Sequence, residues 1–344
     1  MKHKEELIKN ANLMVTTGKG ILAADESTPT CTKRFTSIGV DSTKQTRNEY
    51  RDMLLTTPNM EDYISGVIFY DETIRQSTIK NNTPFITHLL DKGVIPGIKV
   101  DMGAKVLSGH EDEKVTEGLD GLRERLDEYY KMGARFAKWR AVITIGDNIP
   151  TQACYEANAH ALARYASLCQ EAGIVPIVEP EVLMDGSHTI DQCYDVTVNA
   201  QKEVFKQLET QNVMLEGIVL KPNMIISGNE CSVQAGIEEV ASRTVECLKS
   251  TVPSLVPGIA FLSGGQSNED ATAHLSMMNS KYGDDLPWNL TYSYGRALQQ
   301  SALNLWLGKA ENVVAAQGAF LYRAELNGLA SRGEYSKSME EVSI

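Results

Sequence analysis

Short apolar runs recur along the 344-residue chain, separated by longer stretches in which apolar residues return every three or four positions. Most runs lack a polar face, as do strands of a parallel sheet that helices cover on both sides. They follow one another at intervals of roughly 30–45 residues, about the length of one strand, its crossover helix and two loops. The runs are Gly20–Ala24, Ile64–Tyr70, Val94–Val100, Ala134–Ile143, Ile174–Pro180, Glu216–Lys221, Pro257–Ser263 and Asn289–Tyr294.

The stretches between these runs predict helices. Leu119–Tyr130 repeats apolar residues at helical spacing, Gln152–Glu171 is rich in alanine and leucine, and Ile237–Leu248 and Asp270–Met278 repeat the pattern. Eight strand–helix units that close on themselves predict an α/β fold, the (β/α)8 TIM barrel. An open doubly wound sheet is the alternative, but it normally carries a Gly-x-Gly-x-x-Gly turn, and none follows Gly20–Ala24.

No low-complexity tract or proline-rich linker divides the chain, so we expect residues 1–344 to form a single barrel domain. An amphipathic N-terminal helix is expected at about 3–17, and a helical region with a tail at about 296–344. No apolar run approaches the roughly 20 residues that cross a bilayer. The N-terminus also lacks the apolar centre of a signal peptide. These features predict a cytoplasmic protein without a membrane partner.

Charge and composition narrow the kinds of ligand. The net charge is −12 and no long basic stretch offsets it, which argues against nucleic acid as a partner. The six cysteines form no Cys-x-x-Cys pair, and the six histidines show no His-x-His or His-Glu-x-x-His spacing. We therefore expect neither a metal site nor a cofactor. Basic residues clustered at strand ends in such an acidic chain indicate an anionic ligand.

Barrel enzymes build their sites where strands end and the following loops begin. Lys221 ends an apolar run at such a position, and loss of water around its side chain favours the neutral, nucleophilic amine. Glu179 ends the preceding run, and neighbouring strands lie about 4.8 Å apart, so the amine and the carboxyl group could meet. Strand alternation places Lys138 with Arg140, and Glu179 with Glu181, on shared faces.

An amine beside a carboxyl group suggests covalent catalysis through an imine. A neutral Lys221 would attack a ketone and expel water, and the iminium would then accept electrons as a neighbouring carbon–carbon bond breaks or forms. Lys138 nearby would favour the neutral amine through like-charge repulsion. Glu179 suits the proton transfers of imine formation, and Asp25 suits removal of the hydroxyl proton during cleavage.

The remaining strand ends suit phosphate binding. Barrels often hold phosphate between the loops after strands seven and eight. There Gly264–Gly265 would let backbone N–H groups approach the oxygens, and Arg296 would supply a forked cation. A second anionic group could meet Ser27, Lys99 and Arg140 across the mouth. Two such sites on opposite rims suggest a bisphosphate.

Each of these residues taken alone is more often a solvated or ion-paired loop residue, and Ser-Gly-Gly by itself is weak evidence for phosphate binding. Their joint position at the exits of apolar strands favours an active site, because independent surface charges would not align in this way. A non-catalytic scaffold that binds sugar phosphates by surface charge remains the alternative from another class.

Eight motifs make the chain resemble the class I fructose-bisphosphate aldolase family, in order from about residue 5 to about 335. The resemblance implies that Lys221 forms the Schiff base, that Glu179 is its acid/base partner, and that Asp25 and Lys138 assist cleavage; Glu181 joins the expected catalytic set. Substrate contacts are implied for Arg34, Ser263, Gly264, Gly265, Ser293, Gly295 and Arg296, with Lys99 and Arg140 at the distal phosphate. The motifs are LAADES (Leu22–Ser27), GIKVD (Gly97–Asp101), GLDGL (Gly118–Leu122), AKWR (Ala137–Arg140), IVEPE (Ile177–Glu181), LKPNM (Leu220–Met224), FLSGGQ (Phe261–Gln266) and SYGRAL (Ser293–Leu298).

The resemblance further implies a reaction of glycolysis and gluconeogenesis, the reversible cleavage of fructose 1,6-bisphosphate to dihydroxyacetone phosphate and glyceraldehyde 3-phosphate. Such enzymes use no metal and are usually homotetramers. The same lysine chemistry on sedoheptulose 1,7-bisphosphate or fructose 1-phosphate remains open, because the sequence does not set the size of the pocket.

Two features depart from the family pattern. Pro29 follows Ser27-Thr28 where the family commonly has glycine, and it fixes φ and removes an N–H donor, so we expect altered distal phosphate contacts. The family's tail often ends in a tyrosine that assists proton transfer, whereas this chain ends SMEEVSI and Tyr335 lies well before the end. Late proton transfer is therefore expected to be slower or to use another acid.

Overall fold

The computed structural model describes residues 2–341, in which parallel strands close into an eight-stranded barrel surrounded by helices. The (β/α)8 prediction is confirmed, while the extent of the single domain, 1–344, stays a prediction. Met1 and residues 342–344, the last part of the predicted tail, lie outside the described range. The strands are Gly20–Ala24 (β1), Ile64–Phe69 (β2), Ile95–Lys99 (β3), Ala104–Val106 (β4), Lys114–Thr116 (β5), Phe136–Ile143 (β6), Val175–Val182 (β7), Val219–Leu220 (β8), Gly258–Phe261 (β9) and Asn289–Tyr294 (β10).

Helices follow most barrel strands, and several begin at a side chain that accepts a backbone N–H. Thr151, Thr189 and Ser267 each cap a helix in this way. None of the helices in residues 2–341 is long and apolar enough to cross a membrane. The helices are Lys4–Met14 (α1), Thr28–Thr36 (α2), Lys44–Leu55 (α3), Asp71–Ile74 (α4), Phe85–Asp91 (α5), Leu122–Met132 (α6), Gln152–Glu171 (α7), Ile190–Thr210 (α8), Ile237–Thr251 (α9), Asn268–Tyr282 (α10), Arg296–Trp306 (α11) and Val313–Ala330 (α12).

The barrel order is β1-β10-β9-β8-β7-β6-β3-β2, because β4 and β5 form a separate antiparallel hairpin between β3 and β6. This hairpin was not predicted, since its three-residue strands are too short to show a period. The predicted strand Glu216–Lys221 was wrong in extent: Leu215–Gly217 forms a 3-10 turn and only β8 is strand. Pro222, which has no N–H, follows Lys221 and ends the ladder.

The lower half of the barrel interior is apolar and closed from below by α1. Leu7, Ala11 and Met14 of α1 are buried in one cluster with inward-facing strand residues such as Ile21 and Phe136. Each fully buried leucine, isoleucine, methionine or phenylalanine side chain in this cluster contributes roughly 1.5–3 kcal/mol. A dry, packed floor beneath the strand ends leaves the carboxyl-terminal mouth as the open end of the barrel.

The ring of Phe136 fills the centre of this floor, and two glycines on neighbouring strands make room for it. A Cβ atom at Gly97 would lie 2.3 Å from the ring, and one at Gly66 would lie 3.0 Å from it. Because real Cβ atoms do not approach that closely, Gly97 is required by packing. The upper interior layer, two residues further along β6, is occupied by Lys138.

Candidate active site

The pairing of β7 with β8 places Glu179 beside Lys221. Val178 lies opposite Leu220, and the Lys221 N–H donates to the Val178 carbonyl at 2.8 Å. The next residues on the two strands share a face, and Lys221 Nζ lies 3.2 Å from Glu179 Oε1. Both side chains are 4% exposed. The amine and the carboxylate therefore meet in a dry site, at the distance expected from neighbouring strands.

Lys138 lies between two carboxylates of this site. Its Nζ is 2.8 Å from Asp25 Oδ2 and 3.5 Å from Glu179 Oε2. Burial alone would raise the pKa of Asp25, but the ammonium groups of Lys138 and Lys221 outweigh it and lower that pKa to about 2. Burial alone would lower the pKa of Lys138, but Asp25 and Glu179 outweigh it and raise that pKa. At neutral pH Asp25 is ionised and Lys138 is charged.

Glu181 lies two residues after Glu179, on the same face of β7, and it forms an ion pair with Arg140 of β6. Burial would lower the pKa of Arg140, but the adjacent Glu181 raises it. The contacts described for residues 2–341 join Glu181 to Arg140 rather than to Lys221. Glu181 therefore holds a cation at the upper rim of the mouth.

A cavity of about 300 Å³ opens above Lys138 and Asp25. Within it, Lys99 Nζ lies 2.6 Å from Asp101 Oδ1, and Ser27 Oγ lies 3.1 Å from Thr30 Oγ1. The cavity brings together the predicted distal-phosphate residues with part of the predicted catalytic set. Its lining is Ala23, Asp25, Glu26, Ser27, Thr30, Arg34, Lys99, Asp101, Gly103, Ala104, Lys138, Arg140, Val142 and Gly295.

Pro29 occupies the first turn of α2, for which Ser27 is the N-cap residue. An N–H at this position has no partner within the helix, so proline breaks no helical hydrogen bond. It does remove a donor next to Ser27 at the edge of the cavity. The altered phosphate contacts expected from Pro29 stay a prediction.

The opposite rim is a tight turn, Ser263–Gln266, that follows β9. Gly264 has φ +57°, a left-handed conformation that favours glycine. At Gly265 a Cβ atom would lie 2.1 Å from Met184 Sδ, so the loop after β7 packs directly on the turn. Both glycines are exposed, as backbone donors for an anion must be.

The N-terminus of α11 adjoins this turn. Gly295 precedes the helix, and Arg296 Nη2 lies 3.4 Å from the Gly264 carbonyl and 3.3 Å from the Gln266 carbonyl, to which it donates. Ser293 Oγ is buried without a hydrogen-bond partner among the described residues. The helix N-terminus, a guanidinium group and a hydroxyl group are the kinds of donor that bind anions, so this rim is a candidate anion site.

Sequence reasoning missed the residues that hold Arg34. The carboxylate of Glu26 lies 2.5 Å from Arg34 Nη1 and 2.5 Å from Arg51 Nη2, and Arg51 is only 2% exposed. The Gln299 side-chain carbonyl accepts from Tyr50 and from Arg34. Burial would raise the pKa of Glu26, but Arg51 and Arg34 lower it. Glu26 stands in the LAADES motif and could have been noticed there, whereas Arg51 lies mid-helix in α3 without a local signal.

In residues 2–341 no three histidine, cysteine or acidic side chains converge in a way that could hold a metal ion. The groups that do converge are the two buried amines of Lys138 and Lys221, the carboxylates of Asp25 and Glu179, and two clusters of candidate anion donors. They can supply a nucleophile, proton carriers and phosphate ligands.

Comparison with known proteins gives concordant matches. A family model described as "Fructose-bisphosphate aldolase class-I" matches residues 6–343. A "Probable fructose-bisphosphate aldolase class 1" of Xanthomonas campestris pv. campestris is 57% identical over 332 residues, which is 96% of this chain and 98% of the relative. "Fructose-bisphosphate aldolase 5, cytosolic" of Arabidopsis thaliana is 52% identical, covering 97% of this chain and 93% of the relative.

A solved structure is also similar. It is the fructose-bisphosphate aldolase of Plasmodium falciparum in complex with TRAP and a small-molecule inhibitor. The TM-score is 0.95 at 48% sequence identity, and the match covers 97% of this chain and 96% of that chain.

Proposed function

The chain belongs to the class-I fructose-bisphosphate aldolase family, and from that membership we propose that Lys221 is the residue that forms the Schiff base. The reaction is the reversible aldol cleavage of fructose 1,6-bisphosphate to dihydroxyacetone phosphate and glyceraldehyde 3-phosphate, without a metal. The observation that carries the assignment of Lys221 is its dry amine, 3.2 Å from Glu179 at the barrel mouth.

Glu179 first takes a proton from Lys221, and the neutral amine attacks the ketone carbon of the substrate; Glu179 then returns that proton as the hydroxyl leaves as water. The resulting iminium attracts the electron pair of the adjacent carbon–carbon bond. Asp25, ionised at neutral pH, accepts the proton of the hydroxyl that becomes the aldehyde. The enamine left on Lys221 then takes a proton at carbon, and water releases the second triose phosphate.

Lys138 positions the two carboxylates that transfer these protons. Its charged amine touches both Asp25 and Glu179, so it holds two carboxylates close together that would otherwise repel each other. It also stabilises Asp25 in the ionised form that a base requires. Glu181 supports the site indirectly, through its ion pair with Arg140.

The two ends of the mouth bind the two phosphates. One phosphate binds to the Ser263–Gln266 turn, Ser293, the N-terminus of α11 and Arg296. The other meets Lys99, Arg140 and Ser27 beside Arg34. These distal cations are paired with carboxylates, Lys99 with Asp101 and Arg140 with Glu181. A dianionic phosphate can bind the remaining N–H donors of these cations while the carboxylates keep their partners.

Borohydride reduction in the presence of fructose 1,6-bisphosphate tests the assignment. Mass spectrometry should find the reduced adduct on the peptide that contains Lys221, and Lys221→Met should abolish both the adduct and turnover. Lys131→Met, which removes a lysine that is 71% exposed, serves as the matched control and should keep both. An adduct on another lysine, or turnover by Lys221→Met, would rule the assignment out.

We propose further that the protein works in the cytoplasm as a homotetramer. Support for the compartment comes from relatives at 50–52% identity, such as the "cytoplasmic isozyme" of Spinacia oleracea. The assembly is expected from the family resemblance. Light scattering of the purified protein should give four times the 37.9 kDa of one chain, and a mass of one chain would contradict the tetramer.

A further inference from the structure

The side chain of Gln266 closes the glycine turn on which one phosphate end of the mouth is built. Its Nε2 donates to the Ser263 carbonyl at 3.1 Å, and its backbone N–H donates to the same carbonyl at 3.1 Å. The Gln266 backbone carbonyl in turn accepts from Arg296. One residue therefore contacts both the start of the turn and the cation beside it.

A histidine on the next helix holds that amide in place. His274 lies in α10, and its Nδ1 is 2.7 Å from Gln266 Oε1. Both side chains are buried, at 6% and 8% exposure. The contact joins the phosphate turn to α10, so it anchors the turn to the body of the barrel.

The hydrogen-bond partners determine the orientation of the amide and the tautomer of the imidazole. The Ser263 carbonyl can only accept, so the NH2 end of Gln266 must face it and the oxygen must face His274. That oxygen can only accept, so Nδ1 of His274 carries the proton. Burial lowers the pKa of His274 to about 4, and at neutral pH the ring is therefore neutral with its proton on Nδ1.

Glycine turns of this kind need such an anchor. Gly264 is left-handed and Gly265 has no side chain, so the two central residues of the turn have wide conformational freedom. Fixing them before the ligand arrives reduces the ordering that binding would otherwise require. The contact with Met184 restrains the turn from one side, and the amide of Gln266 restrains it from the other.

We propose that His274 and Gln266 are positioning residues for phosphate binding: the imidazole Nδ1–H orients the amide, and the amide holds Ser263–Gly265 and Arg296 in the geometry that receives the phosphate. The inference rests on the proposed function of this turn. It predicts a role in substrate affinity for a histidine that does not itself contact the substrate.

Two substitutions at His274 separate positioning from simple packing. His274→Leu keeps the bulk and removes the donor, and should raise KM for fructose 1,6-bisphosphate about tenfold while kcat stays within about twofold. In His274→Asn the amide NH2 can take the place of Nδ1–H, so this variant should stay within about twofold of the parent KM. His160→Leu, an exposed histidine on α7, is the matched control and should leave KM unchanged.

Arg296→Ala distinguishes failure of this inference from failure of the proposed site. If Arg296→Ala raises KM and His274→Leu does not, the positioning role is wrong and the phosphate site stands. If Arg296→Ala leaves KM unchanged, the phosphate site itself is wrong, and the positioning role falls with it. In the double variant, the additional effect of His274→Leu should be smaller than in the parent, because part of it acts through Arg296.

A measurement on the unaltered protein covers the case in which His274→Leu fails to fold. Nitrogen NMR of protein labelled with ¹⁵N-histidine reports the tautomer of each ring directly. A neutral His274 with its proton on Nδ1, assigned by its loss in His274→Asn, supports the inference. A proton on Nε2 would overturn it, because the amide could then not bridge the imidazole and the Ser263 carbonyl.

Discussion

Replacing Lys138 with methionine tests how the site compensates the charge of Asp25 in a dry interior. The substitution keeps most of the volume of the side chain and removes its charge. Asp25 and Glu179 then lose the ammonium group that lies 2.8 Å and 3.5 Å from them. Lys221 remains as the nearer compensating cation for Glu179, while Asp25 loses the only ion-pair partner that lies within 4 Å of it among the described residues.

The structure indicates how much free energy of unfolding Lys138→Met should lose. The pKa of Asp25 falls from an ordinary value of 3.8 to about 2, which corresponds to roughly 2 kcal/mol at ~1.36 kcal/mol per pH unit. Removing one partner of a buried pair costs about 3–5 kcal/mol, because the remaining charge is left uncompensated. Since Lys221 still offsets part of the charge, we expect a loss of about 3 kcal/mol in the free energy of unfolding.

The pH dependence of this loss follows from the two pKa values. The lowered pKa of Asp25 means that its contribution to stability is complete above about pH 3.8 and is lost as the pH falls towards 2. The raised pKa of Lys138 means that its contribution is complete below its ordinary value of 10.5 and is lost only as the pH rises beyond it. The difference between parent and Lys138→Met should therefore be constant between about pH 5 and about pH 9.

Urea titrations followed by circular dichroism across that range provide the measurement. Lys131→Met is the matched control, because Lys131 forms a pair of 2.5 Å with Asp127 on an exposed helix face. That substitution should cost about 0.5 kcal/mol or less. A loss below about 1 kcal/mol in Lys138→Met, or one equal to the control, would refute the view that Lys138 compensates buried charge.

Two further substitutions probe the floor and the rim of the barrel. Gly97→Ala places a Cβ atom within 2.3 Å of the Phe136 ring and should lower the free energy of unfolding by about 2–3 kcal/mol. Gly318→Ala is the control: this glycine has open space in a helix, so the substitution should raise the free energy of unfolding by up to about 1 kcal/mol. Equal urea midpoints for the two variants would contradict the packing argument. Glu26→Gln removes the negative charge that holds Arg34. It should raise KM for fructose 1,6-bisphosphate by about tenfold, because the substitution loses one charge-assisted hydrogen bond. An unchanged KM in steady-state kinetics would show that the position of Arg34 does not depend on Glu26.

Several parts of the site could be predicted because they depend on local geometry alone. Glu179 lies in β7 and Lys221 directly follows β8, and consecutive strands of a parallel barrel are neighbours about 4.8 Å apart. Their contact at 3.2 Å follows from that spacing. In the same way, the alternation of β6 puts Lys138 and Arg140 on the inner face, one above the other.

At another strand end, polar residues that follow an apolar strand do not join the site. Asp71 and Glu72 follow β2 as the predicted strand-end groups do, yet they begin the short helix α4 and are not among the side chains that line the cavity. Asp71 pairs with the exposed Arg75, and Glu72 pairs with Arg47 of α3. A polar residue after a strand is therefore a candidate only, since the direction of the following loop decides whether it enters the site.

The sequence by itself determined the barrel and the candidates for the reacting groups, because hydrophobic period, strand spacing and strand-end chemistry are properties of short segments. Tertiary structure alone decided which carboxylate pairs with which cation. Glu26 meets Arg51 across 25 positions of the chain, and Gln266 meets the imidazole of His274 through the packing of α10 against the turn. The physical reason is that the strength of a charge or a hydrogen bond depends on distance and on burial, and both are set by segments that the folded barrel brings together.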